Sequence, residues 1–303
     1  MFVTLNCNKD NQSFIVFDLA MLALGVFGLL LVWAGWFLGG WWLILSALML
    51  LGIVLLAYGV WVEPRRVKVS NFKINLSSQS KVMIKVVFIA DLHAGSNKPK
   101  KWYDRVFSRI KDMGADLLLV GGDLVVSQAS HLNKLEALNE IGCQYGKYFV
   151  LGNHDYLDNP GQIVKSLTGW GFHDLTNANL TLRCQGLDLR LAGIDDCVFG
   201  QQAAVPAPAC ASPLILLCHE PDVLRDLAEG QADLVLCGHN HGGQIRWPGL
   251  GALFVPSKLG RRVDAGFKVV NGIRTYLTTG LGEVLCRARL FCPPEIVVLE
   301  IGI

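Results

Sequence analysis

The sequence predicts an α/β fold in which two packed mixed sheets carry helices on their outside, with a helical hairpin ahead of them at the N-terminus. Three observations predict it. Five short apolar runs each end in residues suited to binding a metal, as strands do when they deliver side chains to one rim of a sheet. Helical spacing separates the first two of these runs, giving a β-α-β unit, whereas beyond Gly171 the strands become shorter and turn-linked. The apolar excess of the 303-residue chain, 52% hydrophobic against 17% charged, is gathered near one end.

That end comes first in the chain. No charged residue occurs from Leu19 to Val62. As one helix this run would measure about 66 Å, against a hydrocarbon core of about 30 Å. Two spans fit instead, Leu19 to Leu38 and Trp41 to Val62, with Gly39-Gly40 as the turn. Trp33, Trp36, Trp41 and Trp42 then gather near one membrane interface, and Tyr58 and Trp61 near the other. A cleaved signal peptide would start basic and stop sooner at a small-residue site, but here Asp18 stands at the lip and the apolar run continues. Both ends of a hairpin lie on one side. Arg65, Arg66 and Lys68 follow the second span while the turn is uncharged, so the positive-inside bias places the remainder in the cytoplasm, on the inner membrane. The expected division is residues 1–63, a polar tail and transmembrane hairpin, and residues 64–303, one catalytic domain.

A net charge of +2 with scattered basic residues leaves no nucleic-acid footprint. Lys98, Lys100 and Lys101 read as a solvated loop. The nine cysteines form no C-x-x-C pair, and Cys218 and Cys237, inside strand-like runs, read as small buried hydrophobes. Reduced thiols suit the cytoplasm.

In order, Val67 to Leu76 alternates like an edge strand, Lys85 to Ala90 is a buried strand, and Trp102, Val106, Ile110 and Met113 have helical spacing before the strand Asp116 to Val120. A second helix is expected near His131 to Ile141, a strand into Gly152, and a third helix near Gly161 to Thr168. Leu180 to Cys184, Leu187 to Ile194, Leu214 to Cys218 and Asp233 to Cys237 read as strands, with a helix near Asp222 to Glu229. Gln244 to Trp247, Arg274 to Thr278 and Glu295 to Ile301 read as strands of the second sheet, and residues 200–213 as an exposed loop.

The residues at the strand ends carry the chemistry. Asp91 and His93 follow Val86 to Ala90, Asp123 follows Leu117 to Val120, and Gly152-Asn-His-Asp155 follows Tyr148 to Leu151. His219 follows Leu214 to Cys218, and Gly238-His-Asn-His241 follows Leu234 to Cys237. Carboxylate oxygens with neutral imidazoles suit divalent first-row ions, and one carboxylate can bridge two of them. Asp91, His93, Asp123, Asn153, His219, His239 and His241 therefore fit a two-metal site. Such a centre clamps the attacking and leaving oxygens of an in-line displacement, which is phosphoester hydrolysis chemistry. No single block would carry this reading; five in order do. His131, His173 and the Asp195-Asp196 pair fall outside the blocks and read as ordinary surface, core or turn residues.

At these residues the chain resembles the calcineurin-like metallophosphoesterases, whose blocks D-x-H, G-D, G-N-H-[DE], H and G-H-x-H all occur here in the family's order. Gly238-His-Asn-His-Gly-Gly-Gln244 and Gly280-Leu-Gly282 look similar to the bacterial branch with N-terminal membrane segments. The resemblance implies a four-layer α-β-β-α metallophosphoesterase sandwich and two divalent ions, manganese first, with iron, zinc or cobalt as alternatives. It implies that Asp91, His93 and His241 bind one ion, that Asp123 bridges, and that Asn153, His219 and His239 bind the other. His154 would contact the scissile phosphate and act as general acid. The pattern departs from the Ser/Thr protein phosphatase branch, where a second Asp and an Arg follow; here Asp123 is followed by Leu124, Val125, Val126 and Ser127. Either Asp155 or a backbone carbonyl is then expected to orient His154.

The leading expectation is a membrane-anchored phosphoesterase or pyrophosphatase acting on a lipid-linked phosphate ester, with UDP-2,3-diacylglucosamine of lipid A synthesis as the candidate that the resemblance supplies. The loop Trp247, Pro248, Leu250, Leu253 and Phe254 would reach acyl chains or else pack on its own domain. The alternatives are a tethered phosphodiesterase on a soluble substrate such as a cyclic nucleotide, and a non-catalytic metal-binding scaffold.

Overall fold

The computed structural model describes residues 7–77, 80–96, 98–202 and 212–303. Helix α1, Cys7–Leu38, and helix α2, Trp41–Ala57, pack as an antiparallel pair, and α2 runs on through a π-helical turn, Tyr58–Val62, into a 3-10 turn, Glu63–Arg65. Both residues of the connecting Gly39-Gly40 turn have left-handed backbone (φ 67° and 58°), which glycine adopts without a Cβ penalty. Two stretches, Asp18–Leu38 and Trp41–Arg65, are long and apolar enough to cross a membrane, and only 11% of each is buried. The core helix of a soluble protein is by contrast mostly buried. The helix begins at Cys7, so residues 7–13 are helical where a polar tail is expected; the start of that tail and most of the 200–213 loop lie outside the described residues.

Among the described residues fourteen strands follow. In chain order they are β1 Lys68–Asn75, β2 Met83–Ile89, β3 Leu117–Gly121, β4 Lys147–Val150, β5 Phe172–Asp174, β6 Asn179–Cys184 and β7 Leu187–Gly193. They continue with β8 Leu214–Leu217, β9 Leu234–Cys237, β10 Arg246–Trp247, β11 Gly251–Ala252, β12 Gly266–Val270, β13 Ile273–Leu277 and β14 Glu295–Gly302. One sheet has the order β1-β14-β2-β3-β4-β5, the other β12-β13-β9-β8-β7-β6, and β10 with β11 makes a separate two-stranded ribbon.

Alternation decides which face goes where. In β2 and β3, Val86, Phe88, Leu117 and Leu119 face Leu189, Leu191, Ile215, Leu217 and Leu236 of the second sheet, while Val87, Ile89, Leu118 and Val120 face the helices. Tyr103, Phe107 and Ile110 of α3, Lys100–Asp112, and Ile163 and Leu167 of α4, Pro160–Gly169, cover that outer face. The outer face of the second sheet is covered by 3-10 turns and loops carrying Val223, Leu224, Leu227 and Val263.

Four details differ from the sequence reading. The second helix is a run of 3-10 turns, Ala129–Glu140, because Leu132, Leu135 and Leu138 recur every third residue and a three-residue turn puts all of them inward. The helix near Asp222 is likewise a short 3-10 turn, Pro221–Arg225. The last strand, β14, belongs to the first sheet, parallel to β1 and antiparallel to β2, while Arg246–Trp247 joins neither large sheet. Lys98 is buried, not solvated: its ammonium meets the Glu283 carboxylate and the Leu281 carbonyl and lies over the Trp102 ring. Nothing in local sequence links Lys98 to a partner so far along the chain.

Candidate metal centre

The C-terminal ends of β2, β3, β4, β8 and β9 meet at one rim, and each strand hands its next residues to a common space. Five of those residues, Asp91, His93, Asp123, His239 and His241, have left-handed backbone, with φ between 44° and 67°. Such a conformation costs a non-glycine residue about 1–3 kcal/mol, so the surrounding packing holds these turns against their own preference. The benefit is direction: the chain bends off the strand end and the side chain points into the rim. Glycine makes room beside it. A Cβ on Gly152 would stand 2.3 Å from Asp123 Oδ1, so only glycine lets the β3 and β4 turns approach this closely.

All eight sequence-predicted residues come together. His93 Nε2 lies 3.0 Å from His241 Nε2 and 3.4 Å from Asp123 Oδ2, and His219 Nε2 lies 3.2 Å from the same carboxylate oxygen. Asp91 Oδ1 is 3.7 Å from His241 Nε2 and 4.0 Å from His219 Nε2. Asn153 Oδ1 is 3.1 Å from His239 Nδ1, and the His154 ring packs edge-on to His93. His131, His173 and Asp195-Asp196 stay outside this cluster. The ring of His173 stacks on Tyr148, and the Asp196 carboxylate accepts the Val198 and Phe199 N–H groups in a turn.

Backbone carbonyls fix the tautomers. His219 Nδ1 donates to the Gly121 carbonyl at 2.8 Å and His241 Nδ1 to the Gly282 carbonyl at 3.2 Å, which turns Nε2 of each toward the centre. His239 is turned the other way: Nε2 donates to the Pro256 carbonyl at 3.2 Å, so its Nδ1 lone pair faces the Asn153 oxygen. Burial pushes the His239 imidazole down to about 4, and burial holds His93 and His241 well below the usual histidine range, so these rings are neutral, as metal ligands must be.

A cation fits this donor set. His239 Nδ1 and Asn153 Oδ1 are both acceptors, and Asp91 Oδ2 is buried with no hydrogen-bond partner. Burial, with Asp123 alongside, raises the Asp91 carboxyl to about 7 although His219 opposes it. Two buried carboxylates and converging lone pairs repel one another until positive charge is placed between them. Asp123 is shaped to share such charge: Oδ1 accepts the His154 backbone N–H at 2.9 Å, leaving Oδ2 between His93 and His219.

His154 is oriented by a carbonyl. Its Nδ1 donates to the Val126 carbonyl at 2.5 Å. Asp155 acts elsewhere, accepting the N–H groups of Leu124, Val125 and Gly152. The apolar stretch after Asp123 thus braces the site through its backbone.

Sequence reasoning missed three contributors. Glu220 is buried beside His219 and His239, and Lys98 with Glu283 forms an ion pair behind the site. Arg289 is fully buried and donates to the carbonyls of Thr279, Gly280, Gly282 and Cys292, fixing the loop whose Gly282 carbonyl holds His241. Adjacency to His219 was the only signal for Glu220. Arg289 and Glu283 had none, since Arg289 acts on loop carbonyls and Glu283 pairs with Arg289 and with Lys98, far away in the chain.

Comparison with known proteins gives the family. The profile of the family described as "Calcineurin-like phosphoesterase" matches residues 84–243. The chain is 30% identical over 248 residues to "Phosphodiesterase YaeI" of Escherichia coli (strain K12), covering 80% of this chain and 88% of that protein. It is 26% identical over 254 residues to the metallophosphoesterase YkuE of Bacillus subtilis (strain 168), covering 80% of this chain and 88% of that protein. A "Transmembrane protein with metallophosphoesterase domain" of Danio rerio is 28% identical over 217 residues, covering 63% of this chain but 48% of that longer protein.

Proposed function

The chain belongs to the calcineurin-like phosphoesterase family, and from that premise we propose that this metal-dependent hydrolase cleaves a phosphodiester or pyrophosphate bond carried on a membrane lipid. In this reading α1 and α2 anchor residues 64–303 to the cytoplasmic face of the inner membrane, with Arg65, Arg66 and Lys68 on the cytoplasmic side.

One observation carries the lipid reading. Strand β1 starts at Lys68 opposite Glu295, and β14 pairs Val297 with Phe88, so β1 begins beside the end of β2 that leads to Asp91. Only residues 66–67 separate the last helical turn from this strand. The chain therefore leaves the apolar helices at the same end of the sandwich as the metal centre, and a substrate embedded in the bilayer has a short path to it.

In the proposed assignment Asp91, His93 and His241 would hold one divalent ion, Asn153, His219 and His239 the second, and Asp123 would be shared between them, with manganese the first choice. When bound, the ions supply charge that neutralises the phosphate and acidifies the water that attacks it. The protein's own residues do the rest. Asn153 and the imidazoles orient the phosphate's surroundings, and His154, its Nδ1 proton held by Val126, passes a proton from Nε2 to the leaving oxygen. UDP-2,3-diacylglucosamine is the candidate substrate within this class. A second reading is a soluble phosphodiester, since the activity named for the Escherichia coli relative, a phosphodiesterase, fits a soluble and a lipid-borne diester alike. A non-catalytic scaffold has no need of His154 beside a full ligand set.

The test is turnover by purified full-length protein in lipid nanodiscs with manganese, comparing lipid pyrophosphates, lipid phosphodiesters and cyclic nucleotides. Faster turnover of a lipid-linked ester is expected. Faster turnover of the cyclic nucleotides would overturn the lipid reading in favour of the soluble one.

A further inference from the structure

The ribbon of β10 and β11 stands apart from both sheets and carries a cluster of exposed apolar side chains. Trp247 (53% exposed), Leu250 (62%), Leu253 (63%) and Phe254 (66%) turn outward on a stretch only eight residues long. A soluble surface scatters such residues singly; gathered on one projecting turn they mark a contact. They do not pack on their own domain.

The ribbon is rooted at the metal centre on both sides. It leaves from His241 and returns at Pro256, whose carbonyl holds His239. At its base, Arg246 donates to Asp264 at 2.9 Å and to the Gly242 carbonyl at 2.9 Å, and its backbone N–H donates to the Leu290 carbonyl. The strap that contains Leu290 is in turn fixed to Asp18, where the apolar part of α1 begins, and to the turns that follow α2. Arg289 N–H donates to the Gly59 carbonyl, Glu63 accepts the N–H groups of Phe291 and Cys292, and Arg287 pairs with Asp18 at 2.7 Å. The apolar helices, the strap and the ribbon thus form one continuous end of the molecule, and exposed Leu285 and Phe291 lie on the strap.

Charge points the same way. From Arg246 to Val263 the chain contains Lys258, Arg261 and Arg262 and no acidic residue, and those three basic residues are exposed. Apolar side chains on a projecting turn with basic residues beside them fit a bilayer whose surface is anionic, which attracts the basic residues while the apolar ones enter it.

We propose that residues 246–254 form a finger that inserts Trp247, Leu250, Leu253 and Phe254 into the headgroup and acyl boundary of an anionic bilayer. The finger is a second membrane contact besides the helices and holds the mouth of the metal centre against the lipid. It deepens the lipid-substrate reading and rests on it for its purpose. The contact itself rests on the exposure, the rooting and the charge.

The experiment places a benzophenone amino acid at Leu250 or, separately, at Phe254 of the full-length protein, reconstituted in nanodiscs of phosphatidylglycerol and phosphatidylethanolamine. The control position is Val269, also exposed, at the opposite end of the second sheet. Irradiation is expected to attach lipid at Leu250 and Phe254 several-fold more than at Val269, and less when phosphatidylcholine replaces phosphatidylglycerol. Attachment at both finger positions no greater than at Val269 overturns the finger. Lipid attachment in a protein that hydrolyses only soluble diesters would uphold the finger while removing the lipid-substrate reading, so the two fail separately.

Discussion

The Asp155 carboxylate accepts the backbone N–H of Leu124 at 2.9 Å, across the gap between the β4 and β3 turns. With Val125 and Gly152 as further donors, one side chain holds together the turn that carries Asp123 and the turn that carries Asn153 and His154. Asp155→Ala leaves these N–H groups buried without an acceptor and is expected to destabilise the protein by about 2–5 kcal/mol. Chemical denaturation measures it, and an unchanged midpoint would mean that water takes over the acceptor role.

Asp123→Asn is expected to abolish turnover and to lower bound metal, because Asp123 Oδ2 is the oxygen placed between His93 and His219. Elemental analysis of the purified variant reads the metal directly. Two ions per chain together with wild-type rate would sink the bridging role.

His154→Ala is expected to keep the metal and lose on the order of 10² to 10⁴ in rate, the range for removal of a general acid. The loss should shrink for a substrate whose leaving group needs no proton, such as an aryl ester with an acidic phenol. Equal losses for good and poor leaving groups would assign the proton to another residue.

Glu283→Gln strands two buried cations, Lys98 and Arg289, and is expected to cost about 3–5 kcal/mol of stability. Adding Lys98→Met to it removes one of the stranded charges and should recover part of the loss. If the double variant is no more stable than the single one, the cost comes from packing and not from charge.

The last prediction concerns orientation. A reporter fused after Ile303 that is active only outside the cytoplasm should remain silent if Arg65, Arg66 and Lys68 set the topology. Reporter activity would place the metal centre on the other side of the membrane.

Much of the fold was legible because its signals are local. The uncharged run, the Gly39-Gly40 turn and the alternation in β2 and β3 each depend on residues a few positions apart, and the structure follows them closely. The eight site residues were legible too, since each strand ends in a turn that must present whatever comes next. Where short-range pattern misleads, geometry explains it: Leu132, Leu135 and Leu138 suit a 3-10 repeat as well as a helix, and Lys98 looks solvated until a partner 185 residues away is brought to it.

Sequence alone determined which strands end in which chemistry, because a side chain's identity and its place at a strand end travel together along the chain. Tertiary structure alone decided how that chemistry is held. Carbonyls of Gly121, Val126, Pro256 and Gly282 choose the imidazole tautomers, and β14 enters the first sheet beside β1, putting the exit from the apolar helices next to the metal centre. Every residue owns the same carbonyl, and strand order is set by pairing between distant segments, so neither leaves a mark in the letters of the sequence.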